Sequence, residues 1–374
     1  MQNASSERAS TAPIPVEQGG VHGQRRRGRG AASNRSGRFE ALEKTYSDDG
    51  WESLGELDAF RTEVFIDRPK KIIARNASPD INFDKSVNPY RGCEHGCVYC
   101  YARPTHCFLG MSAGLDFESK LFVKENAAEL LERELADPGY KVEKLALGAN
   151  TDIYQPIERQ YRVTRSLLEL LDRTNHPALL ITKSALILRD IDILSSMAER
   201  GLVKAALSVT TLDRKLARAM EPRASTPEKR LDAIAKLNEA GVPTSVVVAP
   251  IIPALNDHEI EPILKRAAAA GAQQAGYVLL RLPLEIRDLF REWLREHYPD
   301  REKHVFSLVQ STRDGKDYDS TWGRRMKGSG PYAWQIGRRF ELACKRLGIN
   351  EQSFSVRTDL FTPPVLPGQQ MRLL

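Results

Sequence analysis

The chain has 374 residues, 41% of them hydrophobic, and 55 basic against 49 acidic side chains, for a formal net charge of +6. That is enough for one large α/β domain with appendages and a sizeable core. No stretch approaches the roughly 18 uninterrupted apolar residues of a membrane span, and the N-terminus lacks the apolar run of a secretory signal, so a cytoplasmic protein is expected. The charge is uneven: residues 1–38 hold seven Arg or Lys against two Glu, while the remainder is nearly balanced.

In chain order, residues 1–38 are rich in Gly, Ser, Arg and Ala without hydrophobic periodicity and read as a disordered basic tail. Within it, Arg25-Arg26-Arg27-Gly28-Arg29-Gly30 could attract phosphates without base specificity. Residues 39–85 read as an extended lead-in. From Ser86 the pattern alternates. Apolar, β-rich runs at Ser86–Pro89, Lys144–Leu147, Ala178–Thr182, Val203–Val209, Pro243–Ala249 and Gly276–Leu280 are separated by segments with helical spacing. Leu167, Leu168, Leu170 and Leu171 mark one helix, which Thr164 is expected to cap. Ile191, Leu194 and Met197 mark the next. Leu231, Ile234 and Leu237 mark a third behind the cap signal Thr226-Pro227, and Ile260, Ile263 and Leu264 a fourth. Six βα units predict a parallel sheet, a partial (β/α)6 barrel over residues 86–282, with chemistry on loops after the C-terminal strand ends. Beyond it, residues 283–374 read as a C-terminal helical extension, not a second core, with helices at Glu285–His297 and up to Arg346.

The five cysteines cluster rather than staple: Cys93, Cys97, Cys100 and Cys107 are close in sequence, and only Cys344 is remote. Clustered thiols in a reducing compartment point to metal or catalysis. The text Asn88-Pro89-Tyr90-Arg91-Gly92-Cys93-Glu94-His95-Gly96-Cys97-Val98-Tyr99-Cys100-Tyr101 has C-x3-C-x2-C spacing. Three thiolates there can hold three corners of an iron–sulfur cube and leave the fourth iron open. Two structural alternatives stand beside this: a zinc completed by Cys107, His95 or His106, and a closed electron-transfer cluster completed by Cys107.

C-x3-C-x-aromatic-C on a loop opening a six-strand βα array resembles the radical S-adenosylmethionine (SAM) superfamily. The resemblance implies a [4Fe–4S] cluster on Cys93, Cys97 and Cys100, with SAM on the open iron. It implies cleavage of SAM to methionine and a 5′-deoxyadenosyl radical that abstracts hydrogen from substrate, driven by a reductant such as flavodoxin or ferredoxin. Asn150-Thr151-Asp152, Tyr154-Gln155-Pro156, Glu158, Thr182-Lys183-Ser184, Ser208-Val209-Thr210-Thr211 and Glu221-Pro222-Arg223 are similar to the spore photoproduct lyase and DNA-repair-photolyase-like branch. Gly28–Asn34 (GRGAASN) and the C-terminal extension resemble an uncharacterised bacterial subgroup of that branch. One departure is notable. The branch carries a hydrogen-donating cysteine on the fourth strand, just before a ribose-contacting serine, whereas this strand reads Ala205-Ala206-Leu207-Ser208.

The resemblance places Tyr99 against adenine, and Asn150, Thr151 and Asp152 near the methionyl amino group. Ser208 and Thr210, alternating onto one face of the fourth strand, are candidates for the ribose, and Arg223, by its guanidinium geometry, for the methionyl carboxylate; Tyr101 and Cys107, close to the cluster loop, are candidate hydrogen relays or radical quenchers. Each has a plainer alternative: a packing tyrosine, a polar turn, core hydroxyls, an Arg223–Glu228 surface pair. Residues 317–334 interleave Tyr318, Trp322, Arg324, Arg325, Lys327, Tyr332 and Trp334, a pattern suited to stacking on bases and holding phosphate, or to a packed cover over the barrel. The leading functional expectation is radical modification or repair of a nucleobase in DNA or RNA. The alternatives are radical modification of a peptide or small metabolite, and a non-catalytic zinc or iron–sulfur nucleic-acid-binding protein.

Overall fold

The structure, a computed structural model, describes residues 19–21, 23–40, 42, 58–352 and 354–366. Its strands are β1 (Glu63–Ile66), β2 (Ile73–Arg75), β3 (Lys85–Val87), β4 (Tyr90–Arg91), β5 (Lys120–Val123), β6 (Leu145–Leu147), β7 (Ala178–Thr182), β8 (Val203–Ser208), β9 (Thr244–Ile251) and β10 (Gln274–Leu279). The main sheet has the order β2-β3-β6-β7-β8-β9-β10. From β3 to β10 every neighbour is parallel and follows in sequence, and β2 adds an antiparallel edge. All six expected barrel strands are therefore present, in an open sheet that does not close on itself.

The sheet forms because its strands read as apolar runs buried on both faces, as parallel sheets require. The helices Val163–Arg173, Ile191–Glu199, Pro227–Glu239 and Ile260–Ala269 return the chain between strands. Leu167, Leu168, Leu171, Leu194, Met197, Ile234, Leu237, Ile263 and Leu264 are all completely buried and form one core with the strands. Each such side chain contributes roughly 2 kcal/mol of burial. Thr226 caps its helix by accepting from the Lys229 amide, with Pro227 in the first turn. Thr164 does not cap. It lies inside its helix and donates to the Ile153 carbonyl at 2.7 Å, while the chain turns into the helix at Arg162, whose φ is 53°.

A second sheet, β1-β5-β4, stands beside the first, with β5 parallel to β1 and antiparallel to β4. It takes the chain leaving β3 and aims it into the cysteine loop.

One expectation is corrected and another extended. Over its described part, residues 19–21 and 23–38, the basic segment is a packed strap rather than a disordered tail. Arg29, Ala31, Ala32, Ser33 and Asn34 are buried, and the arginines are spent on fastening it: Arg25 to the Asp58 carbonyl, Arg26 to Glu296, Arg35 to Glu292. Residues 1–18 lie outside the described residues. The C-terminal extension does more than append helices: part of it completes a second hydrophobic cluster shared with the main domain. Ile286, Phe290, Trp293 and Leu294, on the helix Ile286–His297, join Val305, Phe306 and Val309, on the helix Glu302–Ser311, in a cluster that includes Cys97, Val98 and Tyr99. A long helix, Gly330–Arg346, packs on the main core instead.

Candidate active site at the cysteine loop

β4 hands the chain to the loop through Gly92. Its φ is 75°, and a Cβ there would lie 2.8 Å from Leu121 and 2.9 Å from the Phe117 carbonyl, so only glycine fits. The Cys93 amide donates to that carbonyl at 3.0 Å, and the Cys100 amide to the Cys97 carbonyl at 3.2 Å. Cys93 and Cys97 are buried and Cys100 is half-buried; none is in a disulfide. Burial, then the charges of Asp152, Cys97 and Cys100, push the Cys93 thiol well above its ordinary range. Burial and Glu221 push Cys97 up to about 12. Three thiols on one short loop, in surroundings where thiolates need a compensating cation, are the donor set a [4Fe–4S] cluster takes up. The alternative fourth ligands are engaged elsewhere: His95 pairs with Asp152, His106 faces the Lys120 carbonyl, and Cys107 is in a separate apolar cluster.

The back of the loop is held by a buried ion pair that the sequence reading missed. Arg103 uses all five donors: to the carbonyls of Gly96, Cys97, Ala113 and Gly114, and to Glu118 at 2.5 Å. Glu118 in turn accepts the Gly30 and Ala31 amides of the strap, both at 2.8 Å. A Cβ on Gly30 would fall 1.8 Å from the Gly96 carbonyl oxygen, so the strap's backbone lies directly on the loop. On another side the Gln155 amide accepts from Glu94 N–H and donates to the Gly92 carbonyl. The glycines of GRGAASN hinted at close packing; Arg103 and Glu118 carry no local signal.

The front faces the C-terminal strand ends, where several of the expected residues lie. Asp152 is committed: it accepts from Thr182 (2.6 Å), the Lys183 amide (2.8 Å) and the Tyr154 amide, and pairs with His95 at 3.3 Å. Burial opposes its charge, but His95 and these bonds hold the carboxyl well below its usual range. Thr151 donates to the Tyr90 carbonyl. Asn150 binds Asn88 through its backbone amide only. Thr210 lies 2.6 Å from Glu221 and 3.2 Å from the Tyr99 hydroxyl, and Tyr99 also donates to Glu221. Burial works against the Glu221 charge, but Arg230 and Lys183 bring its pKa down to about 2. Arg230 also donates to the Ser208 carbonyl, tying this network to the end of β8. Arg223 pairs with Glu94 at 2.6 Å rather than with Glu228, which pairs with Arg266.

Lys183 is the residue the sequence reading quoted without giving it a role. It follows β7, lies 5.9 Å from the Tyr99 ring centroid, and makes no hydrogen bond or ion pair through its ammonium among the described residues. Tyr101 is 46% exposed; it donates to the Ala149 carbonyl and stands between Cys100 and Arg281. Cys107 is not at the front: it packs with Ala31, Ala113, Leu115 and Leu289 under the strap. Residues 317–334 cover the sheet edge, with Met326 accepting from Leu279 of β10. Arg324 pairs with Asp314 and Asp319, and Arg325 with Asp80, so both are neutralised; Trp322 and Trp334 are exposed.

Residues 87–267 match the Radical SAM superfamily. This region is a radical SAM domain. The superfamily's enzymes use a [4Fe–4S] cluster and SAM, which suits the thiol set above. Uncharacterised proteins of Mycobacterium tuberculosis and Mycobacterium bovis are 37% identical over 220 residues, 58% of this chain and 65% of theirs. The alignment thus spans just under two thirds of those relatives' length. An uncharacterised protein of Methanocaldococcus jannaschii is 28% identical over 64% of this chain and 85% of its own. Among solved structures, spore photoproduct lyase complexed with dinucleoside spore photoproduct superposes with a TM-score of 0.55 at 17% identity, covering 76% of this chain and 80% of that one. A cysteine-to-serine mutant of the same enzyme gives 0.55 at 16% identity over the same shares. This likeness is one of fold. Among the described residues no helix is long and apolar enough to cross a membrane.

Proposed function

We propose that this protein is a radical SAM enzyme acting on a nucleobase-containing substrate. The observation that carries the reading is the juxtaposition of three unbridged thiols with an unpaired ammonium, Lys183, at the C-terminal mouth of six parallel strands. Cys93, Cys97 and Cys100 would hold the cluster. When bound, the cluster and SAM supply reductive cleavage of the sulfonium and hydrogen abstraction from substrate.

The chain's own residues bind, orient and exclude water. Lys183 suits the methionyl carboxylate better than Arg223, which Glu94 already neutralises. Asn150, whose side-chain amide is uncommitted, and Ser208 are the contacts to the methionyl amino group and the ribose. Thr151, Asp152 and Thr210 act one step removed: Asp152 fixes the Lys183 backbone, and Thr210 with Glu221 fixes Tyr99. The Tyr99 hydroxyl is committed to that network, which leaves its main chain and ring for adenine. Tyr101 is the candidate relay at the mouth; the position of Cys107 removes it from that role. The packed strap and the second hydrophobic cluster close off the loop's back and flank, keeping solvent from the thiols. The substrate class rests on the branch resemblance and on the structural neighbour whose ligand is a dinucleoside photoproduct. A cytoplasmic location and an external reductant such as flavodoxin or ferredoxin belong to the same proposal.

The test is anaerobic reconstitution with iron and sulfide, then reduction with SAM and chromatography for 5′-deoxyadenosine. We expect product from the wild type and none from Cys97→Ala. A wild-type protein that carries a full complement of iron and sulfide yet forms no 5′-deoxyadenosine would overturn the reading.

A further inference from the structure

Cations buried without a counter-charge are costly, and proteins keep them mainly where a ligand will pair them. Two arginines at the mouth bear on this, Arg281 half-buried and Arg313 buried. Arg281, two residues past β10, has its guanidinium carbon 5.1 Å from the Tyr101 ring centroid. Among the described residues its polar contacts are long ones, to the Tyr318 hydroxyl at 3.4 Å and the Met326 sulfur at 3.5 Å. Its Nε is buried without any partner. No described carboxylate lies within ion-pair distance of it. Behind it, Arg313 is 1% exposed and, among the described residues, donates only to the Leu280 and Arg324 carbonyls and leaves its Nε unpartnered. Burial and then the neighbouring Arg281 charge push the Arg313 pKa below its ordinary value.

The contrast with the adjoining residues is informative. Arg324 and Arg325, which the sequence pattern favoured for phosphate, are both paired with aspartates. Arg281 and Arg313, which no pattern marked, are not.

We propose that Arg281, backed by Arg313, is the subsite for a phosphate group of the substrate, held at the mouth against the Tyr101 ring and the Tyr318 hydroxyl. The planar guanidinium offers several donors to a tetrahedral oxyanion, and the flanking tyrosines suit the stacked base that accompanies a nucleotide phosphate. Because Tyr101 directly follows Cys100 in the chain and its ring faces Arg281, this subsite would fix the substrate's distance from the cluster. The assignment of the phosphate to a nucleic acid rests on the proposed substrate class; the anion subsite itself does not.

The experiment uses full-length, anaerobically reconstituted protein and two probes: a fluorescein-labelled single-stranded oligonucleotide of roughly ten nucleotides, read by anisotropy, and inorganic pyrophosphate, read by calorimetry. Arg281→Gln should weaken oligonucleotide binding about 10-fold and reduce the salt slope by about one charge. The paired control Arg324→Gln with Arg325→Gln should bind like the wild type. Arg281→Lys keeps the charge but loses the fork, should weaken binding by a smaller factor, and carries the test if the Gln variant does not fold. If the wild type binds pyrophosphate in an Arg281-dependent manner but ignores the oligonucleotide, the anion subsite stands and the nucleic-acid reading fails. If neither probe's binding depends on Arg281, the proposal is overturned.

Discussion

The back and the front of the cysteine loop are built on opposite principles. At the back, Arg103 and Glu118 are both completely buried, and every donor of the guanidinium has an acceptor. At the front, Lys183, Arg281 and Arg313 carry charge with no carboxylate within ion-pair distance among the described residues. A satisfied buried network rigidifies, whereas an unsatisfied one stores affinity for whatever completes it. The loop is thus clamped from behind so that its thiols hold position, and left electrostatically incomplete where ligands arrive.

The largest effect should come from breaking the back. Glu118→Ala strands Arg103 without its anion and orphans the Gly30 and Ala31 amides, so we expect a loss of about 3–5 kcal/mol. Chemical denaturation read beside iron content checks this. A loss below about 1 kcal/mol would mean the strap and the ion pair do not anchor the loop.

The paired scaffold extends to the far end of the sheet, where a pH test applies. His176 is buried, lies 2.8 Å from the Tyr140 hydroxyl, and burial lowers its pKa from 6.5 to about 4. The folded pKa is below the unfolded one, so between these values the unfolded chain binds the proton first. The stabilisation from the neutral ring is complete above pH 6.5 and is lost as pH falls through about 4. We expect a decline of about 3 kcal/mol across that window, seen as a falling urea midpoint. His176→Phe should flatten this part of the profile; an unchanged slope would assign it to other groups.

The smallest stability change belongs to the front. Lys183→Met removes a half-buried, unpaired ammonium and should leave stability within about 1 kcal/mol of wild type. It should nevertheless weaken SAM binding at least 10-fold, as measured by calorimetry on reconstituted protein. A variant that lost several kcal/mol of stability while binding SAM normally would place Lys183 with the scaffold and erase the distinction between the two faces.

Much of this molecule was legible in local pattern. Apolar runs at regular spacing gave six strands in their sheet order, because parallel βα units join neighbours in sequence. The C-x3-C-x2-C spacing marked the loop that carries three thiols, and Thr226-Pro227 marked a helix start. The strap was misread because low hydrophobicity and arginine richness describe its composition. Its order comes instead from partners far along the chain: Glu118 for Gly30 and Ala31, Asp116 for Asn34, Glu292 for Ser33. Thr164 was misread because a hydroxyl near a helix start can also bond outward, here to Ile153.

The sequence by itself determined the element types, their order and the thiol-bearing loop, since these follow from periodicity and from residue chemistry at short range. Only the tertiary structure decided which charges are spent and which are free. Arg223, Arg324 and Arg325 find carboxylates; among the described residues Lys183, Arg281 and Arg313 have none within ion-pair distance. Charge type is written in the residue, but neutralisation depends on what the fold brings within about 4 Å.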